Sequence, residues 1–215
     1  MKRLLVILMA LLLGGILAPV AQASYSITFT LTPGYGVINY YRPDPCLVGS
    51  NLRSTAILGL GTPANSGNTY EPPDPCIVSF STGSFTDFTG SQWLFLSGGS
   101  ITGTVIDTTL LSGVFVDPSF SSDSTGTSHE FLGAFTAYLG SSLLGFYGIT
   151  GNPEFQGLAD IFAKTSGVFF PPDPCVTDAI VSGSLNLTPV PIPGSLFLIG
   201  TGLLGLAGSR RFRKG

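Results

Sequence analysis

The chain is poor in nearly every residue type that performs chemistry. Among its 215 residues are one histidine, three cysteines and one tryptophan, and charged side chains make up 10%, where an ordinary soluble domain carries about 25%. A Ser-His-Asp arrangement needs only one histidine, but no Gly-x-Ser-x-Gly elbow marks a nucleophile. No Cys-x-x-Cys pair or histidine spacing marks a metal site, which leaves three thiolates beside Asp residues as the only conceivable set. Basic residues are scarcer still in the body. Six of the nine sit at the ends (Lys2, Arg3, Arg210, Arg211, Arg213 and Lys214), so residues 24–189 carry Arg42, Arg53 and Lys164 against all twelve acidic side chains, a net of −9. That charge excludes nucleic acid as a partner, because phosphate contacts need a basic face.

What is present is apolar and turn-forming. The 16 Phe and 7 Tyr can fill a core, and the 29 Gly and 16 Pro fall just short of the roughly 25–30% share that signals disorder. The body alternates with period two. In Ser26–Leu31, Ile27, Phe29 and Leu31 share one face and Ser26, Thr28 and Thr30 the other, which predicts a half-buried strand. Ile101–Val105, Gly113–Val116, Glu130–Leu139 and Ser182–Leu187 read the same way, separated by turn formers at Thr62–Asn68, Ser97–Ser100, Asp117-Pro118 and Ser121–Ser128. The pattern predicts an all-β domain over 24–189, an antiparallel β-sandwich or jelly roll, with a short helix around Leu158–Lys164.

One word occurs three times and contains all three cysteines: Tyr40-Tyr41-Arg42-Pro43-Asp44-Pro45-Cys46, Tyr70-Glu71-Pro72-Pro73-Asp74-Pro75-Cys76 and Phe169-Phe170-Pro171-Pro172-Asp173-Pro174-Cys175. The flanking prolines fix the backbone near polyproline II and remove amide donors, so each copy is expected to be a stiff lead into or out of an edge strand. The irregular separations exclude a tandem solenoid. In an oxidising compartment one disulfide among Cys46, Cys76 and Cys175 is expected, with one thiol left over and the choice of pair open.

The two ends are targeting segments. Lys2 and Arg3, an apolar run from Leu4 to Ala18, and Ala21-Gln22-Ala23 before Ser24 have the three parts of a signal peptide over residues 1–23. At the other end, Val190-Pro191-Ile192-Pro193-Gly194 precedes an apolar Leu196–Gly208 and a basic Arg210-Arg211-Phe212-Arg213-Lys214. Pro-marked site, short hydrophobic helix and positive stop form the order of a sorting signal, and the Lys/Arg end stays cytoplasmic. This tail, residues 190–215, resembles the PEP-CTERM sorting domain of Gram-negative bacteria, with Ile192 where the familiar Val-Pro-Glu-Pro motif has Glu. A plain C-terminal membrane anchor is the alternative reading.

The resemblance implies an exosortase-type processing enzyme as partner, transient holding in the inner membrane, and export to the periplasm or outer membrane, the cell surface or an extracellular matrix rich in exopolysaccharide. It says nothing of the body. There, no catalytic or metal-binding residues are assigned and no cofactor is expected. His129, in Thr127-Ser128-His129-Glu130, reads as a solvated loop residue. A noncatalytic surface or matrix protein is the leading expectation. A carbohydrate-binding module, with Trp93, Tyr40, Tyr41 or Tyr70 stacking on sugars, and a secreted hydrolase are the alternatives.

Overall fold

Alternation does produce strands where the sequence places them. In the computed structural model, which describes residues 25–41, 45–165 and 179–190, Ser26–Leu31 forms β1 with Ile27, Phe29 and Leu31 buried. The other described strands are β2 Val37–Tyr41, β3 Cys46–Leu60, β4 Thr69–Tyr70, β5 Cys76–Thr82, β6 Phe85–Thr89, β7 Gln92–Phe95, β8 Gly98–Val105, β9 Thr108–Ser122, β10 Ser128–Leu139, β11 Phe155–Lys164 and β12 Ala179–Pro189, and a short helix, α1, spans Ser141–Phe146. These elements lie in one compact unit, Tyr25–Val190.

The architecture is a closed barrel and not a sandwich. Strands β1, β3, β5, β8, β9, β10, β11 and β12 pair antiparallel in chain order, and β12 returns to pair with β1. Phe29, for instance, lies opposite Leu185 of β12 on one side and Ile57 of β3 on the other. β2 and β4 flank β3, while the β6–β7 ribbon attaches to β9. A period-two pattern states only that one face of each strand is buried. It does not say whether that face meets a second sheet or the far side of its own.

Two devices close this sheet on itself. Bulges bend the long strands: the β3–β5 register shifts between Gly49 and Leu52, and the β9–β10 register shifts where Asp117 and Pro118 oppose Gly133. Asn51 and Asp117 take left-handed backbone there, φ 57° and 49°, a conformation that Asn and Asp tolerate. Asp117-Pro118 is therefore a bulge inside β9, not the expected turn. The second device is glycine facing inward. A Cβ on Gly157 would stand 2.2 Å from the Phe135 ring, one on Gly49 2.1 Å from Phe80, and one on Gly133 2.7 Å from Phe115. Each glycine makes room for an aromatic ring, and the interior fills by alternating small and large residues.

The centre is an aromatic cluster. Phe80 stacks on Phe131 across the lumen at 4.5 Å, and Phe115 meets Phe80, Phe131 and Phe135 edge-on at 5.5–5.8 Å. Offset-stacked and edge-on arrangements are the favoured geometries for ring pairs. Outward positions of β10 and β11 mix Glu130, Thr136, Gln156, Asp160 and Lys164 with Leu132, Leu158 and Phe162. The interior is apolar, where the lumen of a membrane-spanning barrel is polar.

Residues 158–164, expected as a helix, are strand: β11 buries Phe155, Gly157, Ala159, Ile161 and Ala163 on one face. The helix lies instead at α1, where Leu143 and Leu144 are buried. No described helix is long and apolar enough to cross a membrane. The expected signal segment at 1–23 and hydrophobic helix at Leu196–Gly208 lie outside the described residues.

Candidate functional site

One end of the barrel gathers three connections: β3 to β5, β8 to β9, and β10 to β11. The last contains α1, which caps this end. Tyr147, just past the helix, is fully buried, its ring lies where a Cβ on Gly59 would sit, and its hydroxyl donates to the Ile57 carbonyl. Burial pushes the Tyr147 phenol above its ordinary pKa. The β3–β5 loop is tied to the cap by Asn65 Nδ2 to the Phe146 carbonyl, 2.6 Å, and by Ala64 N to the Tyr147 carbonyl, 2.8 Å. Gly140 N reaches the Leu110 carbonyl of β9 at 2.9 Å. The three connections are thereby joined into one frame.

Within that frame lies a groove of about 390 Å³, lined by Tyr70, Pro73, Val105, Ile106, Asp107, Thr108, Leu110 and Ser142. Its volume is at the lower end of the roughly 300–1,000 Å³ of small-molecule sites. Tyr70 and Pro73 belong to the second copy of the repeated word, so a feature conspicuous in the sequence forms one wall. The Tyr70 ring is braced edge-on by Phe146, centroids 5.2 Å apart. The two-residue turn Ile106-Asp107, closed by the Val105↔Thr108 pair, also contributes to the lining. Ile106 stands there with φ 52° and a side chain 74% exposed, in a left-handed conformation that β-branched residues rarely adopt.

The other expected residues are dispersed. Trp93, on β7, is buried between Phe88 and Phe120, 4.8 and 5.9 Å away, and Tyr40 is half-buried against the core. Trp93 offers no flat face for a sugar, and Tyr40, though half-buried like Tyr70, lies away from the groove lining. His129 is not a solvated loop residue. It is 2% exposed on β10 and stacks on Phe120 at 5.2 Å and 18°. Burial lowers its pKa, and the charge of Asp123 opposes that shift only in part. Desolvation pushes the Asp123 carboxyl up, but hydrogen bonds from Thr125, Ser128, Thr127 and Gly126 outweigh it and hold the group below its ordinary value. Asp123 thus ties its own turn together. Among the described residues no group of three His, Cys, Asp or Glu side chains comes close enough to hold a metal.

Cys46 begins β3 and Cys76 begins β5, so the repeated word is a lead-in as expected. Both strands are paired on two sides, however, and neither is an edge. The prolines escape the ladder because they precede the strand. Cys76 lies opposite Ser54, eight residues along β3 from Cys46, a separation of roughly 26 Å at 3.3 Å per residue. A Cys46–Cys76 disulfide is impossible at that distance. Cys76 is a buried free thiol, its pKa pushed up to about 12 by burial. Cys175 lies outside the described residues, as do Ala21, Ala23, Ser24, Pro191, Pro193, Arg210, Arg211 and Arg213; Val190 is the last described residue, its amide bonded to the Glu154 carbonyl at 2.9 Å.

Compared with protein-family models, curated proteins and solved structures, the chain matches none.

Proposed function

We propose that the chain is a noncatalytic exported protein of the cell surface or extracellular matrix, sorted through its C-terminal tail by an exosortase-type enzyme and associated with exopolysaccharide. The observation that carries this reading is the three-part order at residues 190–215: Val190-Pro191-Ile192-Pro193, apolar Leu196–Gly208, and the Arg210, Arg211, Arg213, Lys214 cluster. Paired with the charged, apolar and small-residue parts of 1–23, it supports a topology with both basic ends on the cytoplasmic side and the body outside. The apolar stretch is about 13 residues, roughly 20 Å as a helix, against a hydrocarbon core near 30 Å. A marginal span suits a transient stop in the inner membrane better than permanent insertion. In the body, aromatic side chains pack the barrel interior and His129 stacks on Phe120.

Deleting Pro191–Gly215 tests the reading. The truncated protein is expected to keep its circular dichroism spectrum and melting curve while moving from the envelope or matrix fraction to soluble periplasm, and neutralising Arg210, Arg211, Arg213 and Lys214 should mislocalise it as well. N-terminal sequencing of the exported form should begin at Ser24. Unchanged location after either change, or loss of folding on truncation, would overturn the proposal.

A further inference from the structure

We infer that the groove at the capped end of the barrel is a binding site for a neutral, hydroxyl-rich glycan chain, with Tyr70 as the stacking platform and Asp107, Thr108 and Ser142 as the polar contacts. The inference deepens the reading of an exopolysaccharide-associated protein and rests on it.

Pyranose rings have two kinds of surface. Their C–H faces pack on aromatic and aliphatic groups, and their edges carry hydroxyls that both donate and accept hydrogen bonds. The groove offers both kinds of partner. Tyr70, Pro73, Val105, Ile106 and Leu110 form the apolar part, while the Asp107 carboxylate accepts and the Thr108 and Ser142 hydroxyls do either. Such a small set of polar groups converging on an apolar surface is typical of small-molecule sites.

Charge narrows the ligand class. Among the described residues no Lys or Arg lines the groove, and Asp107 stands in a body whose net charge is −9. A uronate or a sulfated sugar would meet a carboxylate with no described cation beside it. A neutral chain meets no such penalty.

Two features show a wall held in place before any ligand arrives. Pro72 and Pro73 stiffen the backbone beyond Tyr70, and the Phe146 edge fixes the tyrosine ring. In the β8–β9 turn, Ile106 occupies a position where glycine would be the unstrained choice, with left-handed backbone that is costly for a non-glycine residue. Its apolar side chain stands at the rim, 74% exposed. Preorganisation of this kind lowers the ordering cost of binding.

The test is affinity electrophoresis of the full chain through gels containing soluble neutral polysaccharides (hydroxyethylcellulose, dextran and galactomannan), with alginate as the anionic counterpart. Retardation is expected in at least one neutral gel and not in alginate, and Tyr70→Ala should weaken it at least tenfold. Asp107→Arg sits on an exposed turn and avoids the core. It should abolish the neutral-gel shift while leaving the circular dichroism spectrum unchanged, so the inference stays testable if Tyr70→Ala fails to fold. Phe88→Ala, at the far β6–β7 ribbon, should bind as the parent does. Retardation in alginate alone, in no neutral gel, or equally in parent and Asp107→Arg would overturn the assignment. Fractionation separates the two claims: a protein found outside the cell but retarded by no neutral glycan loses only the groove, whereas one retained inside loses the reading on which it rests.

Discussion

Gly157→Ala is the sharpest test of how the barrel is filled. Gly157 on β11 lies directly opposite Phe135 on β10, and an added Cβ would stand 2.2 Å from the Phe135 ring. Carbon atoms need about 3.5–4.0 Å, so the ring would have to retreat by more than 1 Å, roughly the difference between those separations. It has nowhere to go. Phe135 is 2% exposed and meets Phe115 edge-on at 5.8 Å. Overpacking of this kind costs about 1–3 kcal/mol, against which alanine recovers about 0.4–1 kcal/mol of unfolded-state entropy. The net is a loss of about 1–2 kcal/mol, which lowers Tm by about 2–8 °C for a domain of this size. Differential scanning calorimetry of the single variants and of Gly157→Ala/Phe135→Leu should show the pair losing less than the sum of its parts, with a coupling of about 0.5–3 kcal/mol. Gly145→Ala is the control. It lies in α1 with nothing within 4 Å of the added carbon, so the same substitution should there stabilise by about 0.5–1 kcal/mol. A neutral or stabilising Gly157→Ala, or strict additivity with Phe135→Leu, would refute the account of inward glycines making room for rings.

Burial depresses the pKa of His129 in the folded state, so below its ordinary value near 6.5 the unfolded chain binds a proton that the fold resists, and stability should fall as pH drops from about 7 to 5. His129→Phe should flatten that slope in melting curves; Asp123, whose depressed pKa acts only below the ordinary carboxylate range, does not contribute in this window, and an unchanged slope would contradict the assignment. Cys76 should resist alkylation until the protein unfolds, since its thiol is buried with a pKa near 12, and non-reducing peptide mapping should never yield a Cys46–Cys76 link. With that pair excluded, an intramolecular disulfide would have to join Cys175 to Cys46 or to Cys76. Ile106→Gly should raise Tm, because relief of the left-handed backbone stabilises the fold by about 1 kcal/mol after glycine's own entropic cost, while weakening retardation in a neutral-glycan gel; a fall in Tm would show that Ile106 packs rather than strains.

The local strand pattern was legible, and closure was not. β1 coincides with the stretch read from Ile27, Phe29 and Leu31, and β10 with the alternation of Phe131, Phe135, Ala137 and Leu139. The misreading at β11 has a definite cause. Leu158, Ile161 and Phe162 sit at i, i+3 and i+4, the spacing of a helix face, while Phe155, Gly157, Ala159, Ile161 and Ala163 sit at the spacing of a strand. Both templates fit, and what decides between them is the Phe135 ring waiting opposite Gly157 on a distant part of the chain. Gly49, Gly133 and Gly157 carry no apolar side chain for a period-two count to register, yet in the barrel they are core positions. His129 was missed similarly, because a Ser/Thr-rich neighbourhood says nothing of Phe120 beneath it. Of the groove, Tyr70 and Pro73 were visible in the repeated word. Ile106-Asp107 was not, since a two-residue turn without Gly or Asn gives no local signal.

The way the interior is filled also fixes where recognition can occur. Eight-stranded barrels that bind inside keep a lumen just large enough for one small ligand. Here the rings of Phe80, Phe115, Phe131 and Phe135 occupy that space and the inward glycines are spent in accommodating them. Opening a ligand cavity would mean removing a ring, at about 3–5 kcal/mol for Phe→Ala in a packed core, a large share of the roughly 5–15 kcal/mol that holds a domain folded. Stability and internal binding compete for the same volume, and this sequence has committed it to stability. What remains for a partner is the outer wall and the connections at the ends, and it is at one end that the repeated Pro-rich word, a strained turn and a helix cap converge on the groove bounded by Tyr70 and Asp107.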